Sequence, residues 1–112
     1  MEEQFKERRS FSRYPVNLPL KFFSMYYGQG QAKDISPIGL GMVTNEELKR
    51  KEHLEIWIQV PGDGPLYTKG YVVWSRKNEL NQYELGIVLD DIDLVAMSRL
   101  IKKVEEHERP TL

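Results

Sequence analysis

Leu54-Glu55-Ile56-Trp57-Ile58-Gln59-Val60, followed at once by Pro61-Gly62-Asp63-Gly64-Pro65, carries the clearest structural signal in the chain. Leu54, Ile56, Ile58 and Val60 alternate with Glu55, Trp57 and Gln59, the period of a strand with one buried face, and the Pro/Gly cluster ends it in a turn. Downstream, Leu66 to Arg76 and Tyr83 to Leu89 read as two more strands joined by the polar stretch Lys77 to Gln82. Upstream, Val16 to Tyr27 places Val16, Leu18, Leu20 and Phe22 on one alternation, with Pro15 and Pro19 marking an edge-tolerant strand. Gly28-Gln29-Gly30 is expected to close a hairpin into Gln31 to Ile35, and Leu40 to Thr44 resumes after Ser36-Pro37-Ile38-Gly39. Asn45 to Arg50 is expected to form one helical turn capped by Thr44 or Asn45.

These segments predict five or six strands in meander order, curled into an antiparallel barrel. After Asp90-Asp91 the period changes to about 3.6, with Ile92, Val95, Met97, Leu100, Ile101 and Val104 as an apolar stripe. A C-terminal helix over about 91–108 is therefore expected, with Asp90, Asp91 and Asp93 at its start, Lys102 and Lys103 further along and Pro110 beyond its end. The expected organisation is an arm over 1–13, a barrel with its helix over 14–108 and a short tail over 109–112.

With 112 residues, 40% hydrophobic and 29% charged, the composition is that of one ordinary globular domain, with no room for a separate catalytic domain. Sixteen Lys and Arg against seventeen Asp and Glu leave a net charge of −1, which argues against a general attraction for long nucleic acids. Anion binding must then be local. The lack of cysteine excludes disulfides, thiolate nucleophiles and cysteine-ligated zinc, and it fits a reducing, cytoplasmic setting. Met1 to Arg13 has no apolar core of the signal-peptide kind, and no stretch approaches the roughly 20 apolar residues needed to span a bilayer. His53 and His107 stand alone, so no metal site is expected, and no nucleophile–base pair marks an enzyme such as a phosphodiesterase.

Two short runs carry the chemistry. In Arg8-Arg9-Ser10-Phe11-Ser12-Arg13 the guanidinium forks can bind phosphate oxygens in pairs, take guanine O6 and N7 together, or stack on a purine. In Asp34-Ile35-Ser36-Pro37-Ile38-Gly39 the carboxylate can accept from guanine N1 and N2, the serine can serve a base edge or a phosphate, and Gly39 is expected to supply a dihedral other residues dislike. Each run has a plainer reading as well, a solvated charged tail for the first and a serine or Asx turn for the second. Trp74 could stack on a base or serve as packing, and Tyr26, Tyr27 and Phe23 could form a partner patch or pack across strands.

The order and spacing of the two runs resemble the PilZ domain family, marked by R-x-x-x-R before the first strand and D/N-x-S-x-x-G further along. Arg9, Arg13, Asp34, Ser36 and Gly39 fill all five positions, and Gly70-Tyr71-Val72-Val73-Trp74 and Tyr83-Glu84-Leu85-Gly86-Ile87-Val88-Leu89 are similar to the family's later strands. The resemblance implies a mainly β fold: a six-stranded antiparallel split barrel with a C-terminal helix. It also implies a non-catalytic receptor for cyclic di-GMP, whose arginine segment folds over the nucleotide. By that resemblance Arg9 and Arg13 grip phosphates and guanines, Asp34 and Ser36 contact a base, and Gly39 lets the backbone pass close, with Gly41 and Trp74 counted in the same site. By the same resemblance Arg8 keeps a stacked pair of ligands open beside the one-molecule mode. A protein partner in motility, biofilm polysaccharide or regulatory machinery would read the signal. Two other readings remain: a PilZ-like interaction module without ligand, and a small barrel that binds single-stranded nucleic acid.

Overall fold

The computed structural model describes residues 13–91 and 93–108, so the expectations for residues 1–12, Arg8 and Arg9 included, for Ile92 and for 109–112 lie outside the described residues. Six strands, β1 (Tyr14–Phe23), β2 (Tyr27–Ser36), β3 (Gly39–Thr44), β4 (His53–Ile58), β5 (Leu66–Lys77) and β6 (Tyr83–Asp91), close into an antiparallel barrel. Helix α1 (Leu94–Glu108) follows. Alternation turns Leu18, Leu20 and Phe22 of β1, Leu54, Ile56 and Ile58 of β4, and Leu85, Ile87 and Leu89 of β6 into one buried core. Fully burying each such side chain contributes about 1.5–3 kcal/mol before entropy is set against it.

The strand order is not the expected meander. Around the barrel it runs β1-β2-β3-β6-β5-β4, two three-stranded meanders joined where β3 pairs with β6 and β1 with β4. The segment after β3 makes this possible because it crosses to β5 and does not fold back as a hairpin. Lys51 donates its N–H to Val72 O at 2.7 Å, Val72 donates to Glu52 O at 3.0 Å, and Leu48 is buried in the core. No helical turn forms over Asn45 to Arg50; Thr44 Oγ1 instead donates to Gln29 O at 2.7 Å and accepts from the Glu46 N–H at 3.2 Å.

The first hairpin also differs from expectation. Its turn is Ser24-Met25-Tyr26, and Gly28 and Gly30 lie inside β2. Gly28 sits opposite Phe22, whose ring fills the space a Gly28 Cβ would need, with Cε1 at 2.6 Å and Cε2 at 2.8 Å from that point. The residue is small because an aromatic ring lies on it. The chain bends earlier, where Ser24 Oγ donates to Glu52 Oε2 at 2.5 Å and ties the turn to the β3–β4 connection.

At the C-terminal end β6 runs through Asp91, so Asp90 and Asp91 belong to the strand and not to the helix start. The Asp91 carbonyl accepts from Thr68 Oγ1 at 3.0 Å, which holds that end to β5. Asp93 caps α1, accepting from the Ala96 N–H at 3.0 Å. Met97 and Leu100 are buried and Ile101 and Val104 partly so, whereas Val95, expected on the apolar stripe, is exposed together with Leu94. Lys103 Nζ lies 2.7 Å from Asp63 Oδ2, and this hydrogen bond, then the charge of Lys103, holds the Asp63 carboxyl below the ordinary carboxylate range. A carboxyl lowered on folding stabilises the native state above its ordinary range, and that contribution disappears as pH falls through the lowered value. Both groups are well exposed, so the pair counts for little. Among the described residues no helix is long and apolar enough to cross a membrane.

Candidate functional site

Two β-bulges determine what the outer wall of β2, β3, β6 and β5 presents. Ala32 faces inward, and unbroken alternation would turn Asp34 inward too, but the register shifts between Ala32 and Asp34, and Asp34 comes to face outward opposite Gly41. The same happens on β5. Val72 is fully buried, the register shifts between Val72 and Trp74, and Trp74 turns out opposite Gly86. Because Gly41 pairs with Gly86, the four residues form one row, Asp34, Gly41, Gly86, Trp74, spanning three strand spacings or about 14 Å.

The two central glycines are the floor of this row. A Cβ on Gly41 would meet the Asp34 carboxylate, with Cγ at 2.9 Å and Oδ1 at 3.1 Å, and a Cβ on Gly86 would meet the Trp74 indole, with Cε2 at 2.6 Å and Cδ1 at 2.7 Å. Neither glycine has a positive φ, so close approach is what each position requires. The result is an open trough of about 430 Å³ lined by Lys33, Asp34, Gly41, Trp74, Leu80 and Glu84 among others. A carboxylate lies at one end and a half-exposed indole at the other.

Arg13, the first described residue, reaches the carboxylate end, its Nη1 4.0 Å from Asp34 Oδ1, with the side chain 72% exposed. A cation and an acceptor thus stand together at the mouth of the trough, the guanidinium free to turn toward an anion. Ser36 is placed differently from Asp34. It is buried, and its Oγ accepts from the N–H groups of Ile38 at 3.3 Å and Gly39 at 3.1 Å, closing the two-residue turn between β2 and β3. Its hydroxyl hydrogen is still available to a neighbouring acceptor. Gly39 is extended, so the expected unusual dihedral is absent; Ile87 O lies 3.1 Å from where its Cβ would be, a tight approach to β6. The structure therefore brings Arg13, Asp34, Gly41 and Trp74 together on one wall, with Ser36 and Gly39 in the turn at its edge.

Sequence reasoning missed Gly86 and the pair Arg76–Glu84. Arg76 donates from Nε at 2.9 Å to Glu84 Oε1, its Nη2 lies 2.7 Å from the same oxygen, and its guanidinium carbon is 5.9 Å from the Trp74 ring centre. The hydrogen bond from Arg76, then that from Asn78, holds the Glu84 carboxyl below the ordinary range. A glycine inside an apolar strand was the available sign for Gly86. The opposite wall carries a separate run of rings, Phe23, Tyr27, Trp57 and Tyr67, with successive centres 4.8, 6.4 and 5.4 Å apart. Tyr26 and Tyr27 are largely exposed, so cross-strand packing covers this patch only in part.

The model of the PilZ domain matches residues 7–106. Among solved structures, MotI/DgrA, an inhibitor of motility from Bacillus subtilis, superposes with a TM-score of 0.76 at 15% identity, covering 92% of this chain and 54% of its own. The PilZ domain of Escherichia coli YcgR with cyclic di-GMP gives 0.70 at 13% identity, covering 91% of this chain and 92% of that domain. A longer YcgR chain in complex with cyclic di-GMP gives 0.71 at 14%, with coverage of 91% and 46%. The chain thus spans about half the length of MotI/DgrA and of the longer YcgR. No protein of curated function matches by sequence.

Proposed function

This chain belongs to the PilZ domain family, a family of cyclic di-GMP receptor modules, and on that premise we propose that it binds cyclic di-GMP on the outer wall of β2, β3, β6 and β5. The observation that carries the reading is the row Asp34, Gly41, Gly86, Trp74 with Arg13 above its acidic end. Cyclic di-GMP has two phosphates and two guanines, and its recognition needs cations, a guanine-edge acceptor and a planar stacker. Arg13 supplies the first, Asp34 the second and Trp74 the third, over a glycine floor that lets the macrocycle lie close. Ser36, buried in the turn, supports the backbone beside the base and has one hydroxyl hydrogen to donate; Gly39 keeps β3 tight on β6.

Arg9 joins Arg13 in this reading, and Arg8 decides between one ligand and a stacked pair. Fixing a chain segment on a ligand costs roughly 1–2 kcal/mol of backbone entropy per residue, which the arginine contacts must exceed. No bond is made or broken; the output is a change of surface read by a protein partner in the cytoplasm, with motility machinery the first class to try given the likeness to MotI/DgrA.

The test is a calorimetric titration of the full chain with cyclic di-GMP. Saturable binding at one or two ligands per chain is expected, with Arg13→Ala weakening it about tenfold through loss of a charge-assisted contact. Absence of heat from folded protein would remove the proposal. Recovery of linear dinucleotide after prolonged incubation would replace it with a catalytic one.

A further inference from the structure

We propose that Arg76, clamped by Glu84, is a positioning residue that sets the Trp74 indole as the stacking platform for one guanine; the inference rests on the cyclic di-GMP reading above. Gly86 beneath the indole leaves it with a flat floor and no side-chain wall on that side. Trp74 is 43% exposed, and a half-exposed indole on a bulged strand can turn unless something holds it. Arg76 is what borders it, leaving the outer face open. Its guanidinium is 5.9 Å from the ring centre, within the range in which a cation is attracted to the ring face.

Arginine is long and would ordinarily sample many rotamers, but Nε and Nη2 both reach Glu84 Oε1, at 2.9 and 2.7 Å. Asn78 Nδ2 lies 3.4 Å from the other oxygen, Oε2, so the carboxylate is itself held from the β5–β6 turn. Arg76 and Glu84 are directly paired across β5 and β6, one outward row beyond Trp74 and Gly86. Register thus delivers turn, carboxylate, guanidinium and indole in sequence, ending at the trough. The planar fork is essential, because Nε and Nη2 must both reach one carboxylate oxygen while the guanidinium stays beside the ring; an ammonium cannot do both.

The experiment uses the full chain carrying Trp57→Phe, which leaves Trp74 as the one indole because Trp57 lies on the opposite wall. Cyclic di-GMP is titrated by calorimetry while indole fluorescence is followed, and the Trp74 Nε1–H resonance of the chain without Trp57→Phe gives an independent readout. Arg76→Ala is expected to weaken binding roughly fivefold and to reduce the fluorescence quench at saturation, with an unchanged melting temperature. Arg76→Lys is expected to restore neither, and Glu84→Gln to give an intermediate loss. Unchanged affinity and quench in Arg76→Ala, while Arg13→Ala still loses binding, would overturn the inference and leave the receptor reading intact. Full recovery by Arg76→Lys would also overturn it, since Arg76 would then act only as a charge. Failure of the unsubstituted chain to bind would overturn the receptor reading and this inference with it.

Discussion

Asp34→Ala is expected to weaken cyclic di-GMP binding by roughly 30-fold to 100-fold and to reduce sharply the preference for guanine over adenine. The carboxylate only accepts hydrogen bonds, and guanine offers it two donors on one edge, N1–H and N2–H; adenine has an acceptor at N1 and nothing at C2. The bulge at β2 aims Asp34 outward, and Gly41 lets the carboxylate lie against β3, which limits the directions its oxygens can take before a ligand arrives. Pre-set acceptors lose little entropy on binding, which is why one side chain can account for so much. Arg13, 4.0 Å away, adds attraction for phosphate and can also read guanine O6 and N7, so a smaller preference for guanine is expected to survive the substitution. Paired titrations with cyclic di-GMP and cyclic di-AMP at fixed salt separate the two effects. Equal losses for both nucleotides would mean that Asp34 serves only to hold Arg13, and the base-reading role would be discarded.

How far the fold could be read in advance follows from where its signals are local. The alternations of β1 and β4 named the inward residues correctly, because a strand with one buried face writes its period into its own sequence. The six-stranded barrel was legible, but the strand order that closes it was not: β3 meets β6 through a pairing set by the path of Asn45 to Glu52, and that path depends on Leu48 finding the core and on Lys51 and Glu52 bonding to Val72. The candidate residues were legible as a motif, and their placement was not. Asp34 and Trp74 each share parity with a buried neighbour two residues earlier, so alternation alone turns both inward; the bulges that turn them out exist only between strands. Gly41 and Gly86 are likewise intelligible only as a pair, and Arg76 and Glu84 only once β5 and β6 are in register. Gly28 and Gly39 misled in the same way, since a glycine needed for close approach looks like a glycine needed for a turn.

Phe22→Ala is expected to destabilise the barrel by about 3–5 kcal/mol, read as a lower urea midpoint at unchanged m-value. Phe22 is 2% exposed and among the largest fully buried side chains, and it packs between β2 and β4, paired with Gly28 and Ile56. Against a total stability of about 5–15 kcal/mol this loss can unfold the chain outright, so Phe22→Leu is the companion that keeps the measurement possible. The more discriminating variant is Gly28→Ala. If Gly28 is small because the Phe22 ring occupies its Cβ space, adding a methyl forces the ring off its position and costs about 1–3 kcal/mol. In the Phe22→Leu background that space is partly vacated, and the same substitution is expected to be neutral or stabilising, because alanine loses less entropy than glycine on entering a strand. The double-mutant cycle should therefore show a coupling of at least about 1 kcal/mol. Additivity of the two substitutions would mean that the Phe22 ring is not what keeps Gly28 small.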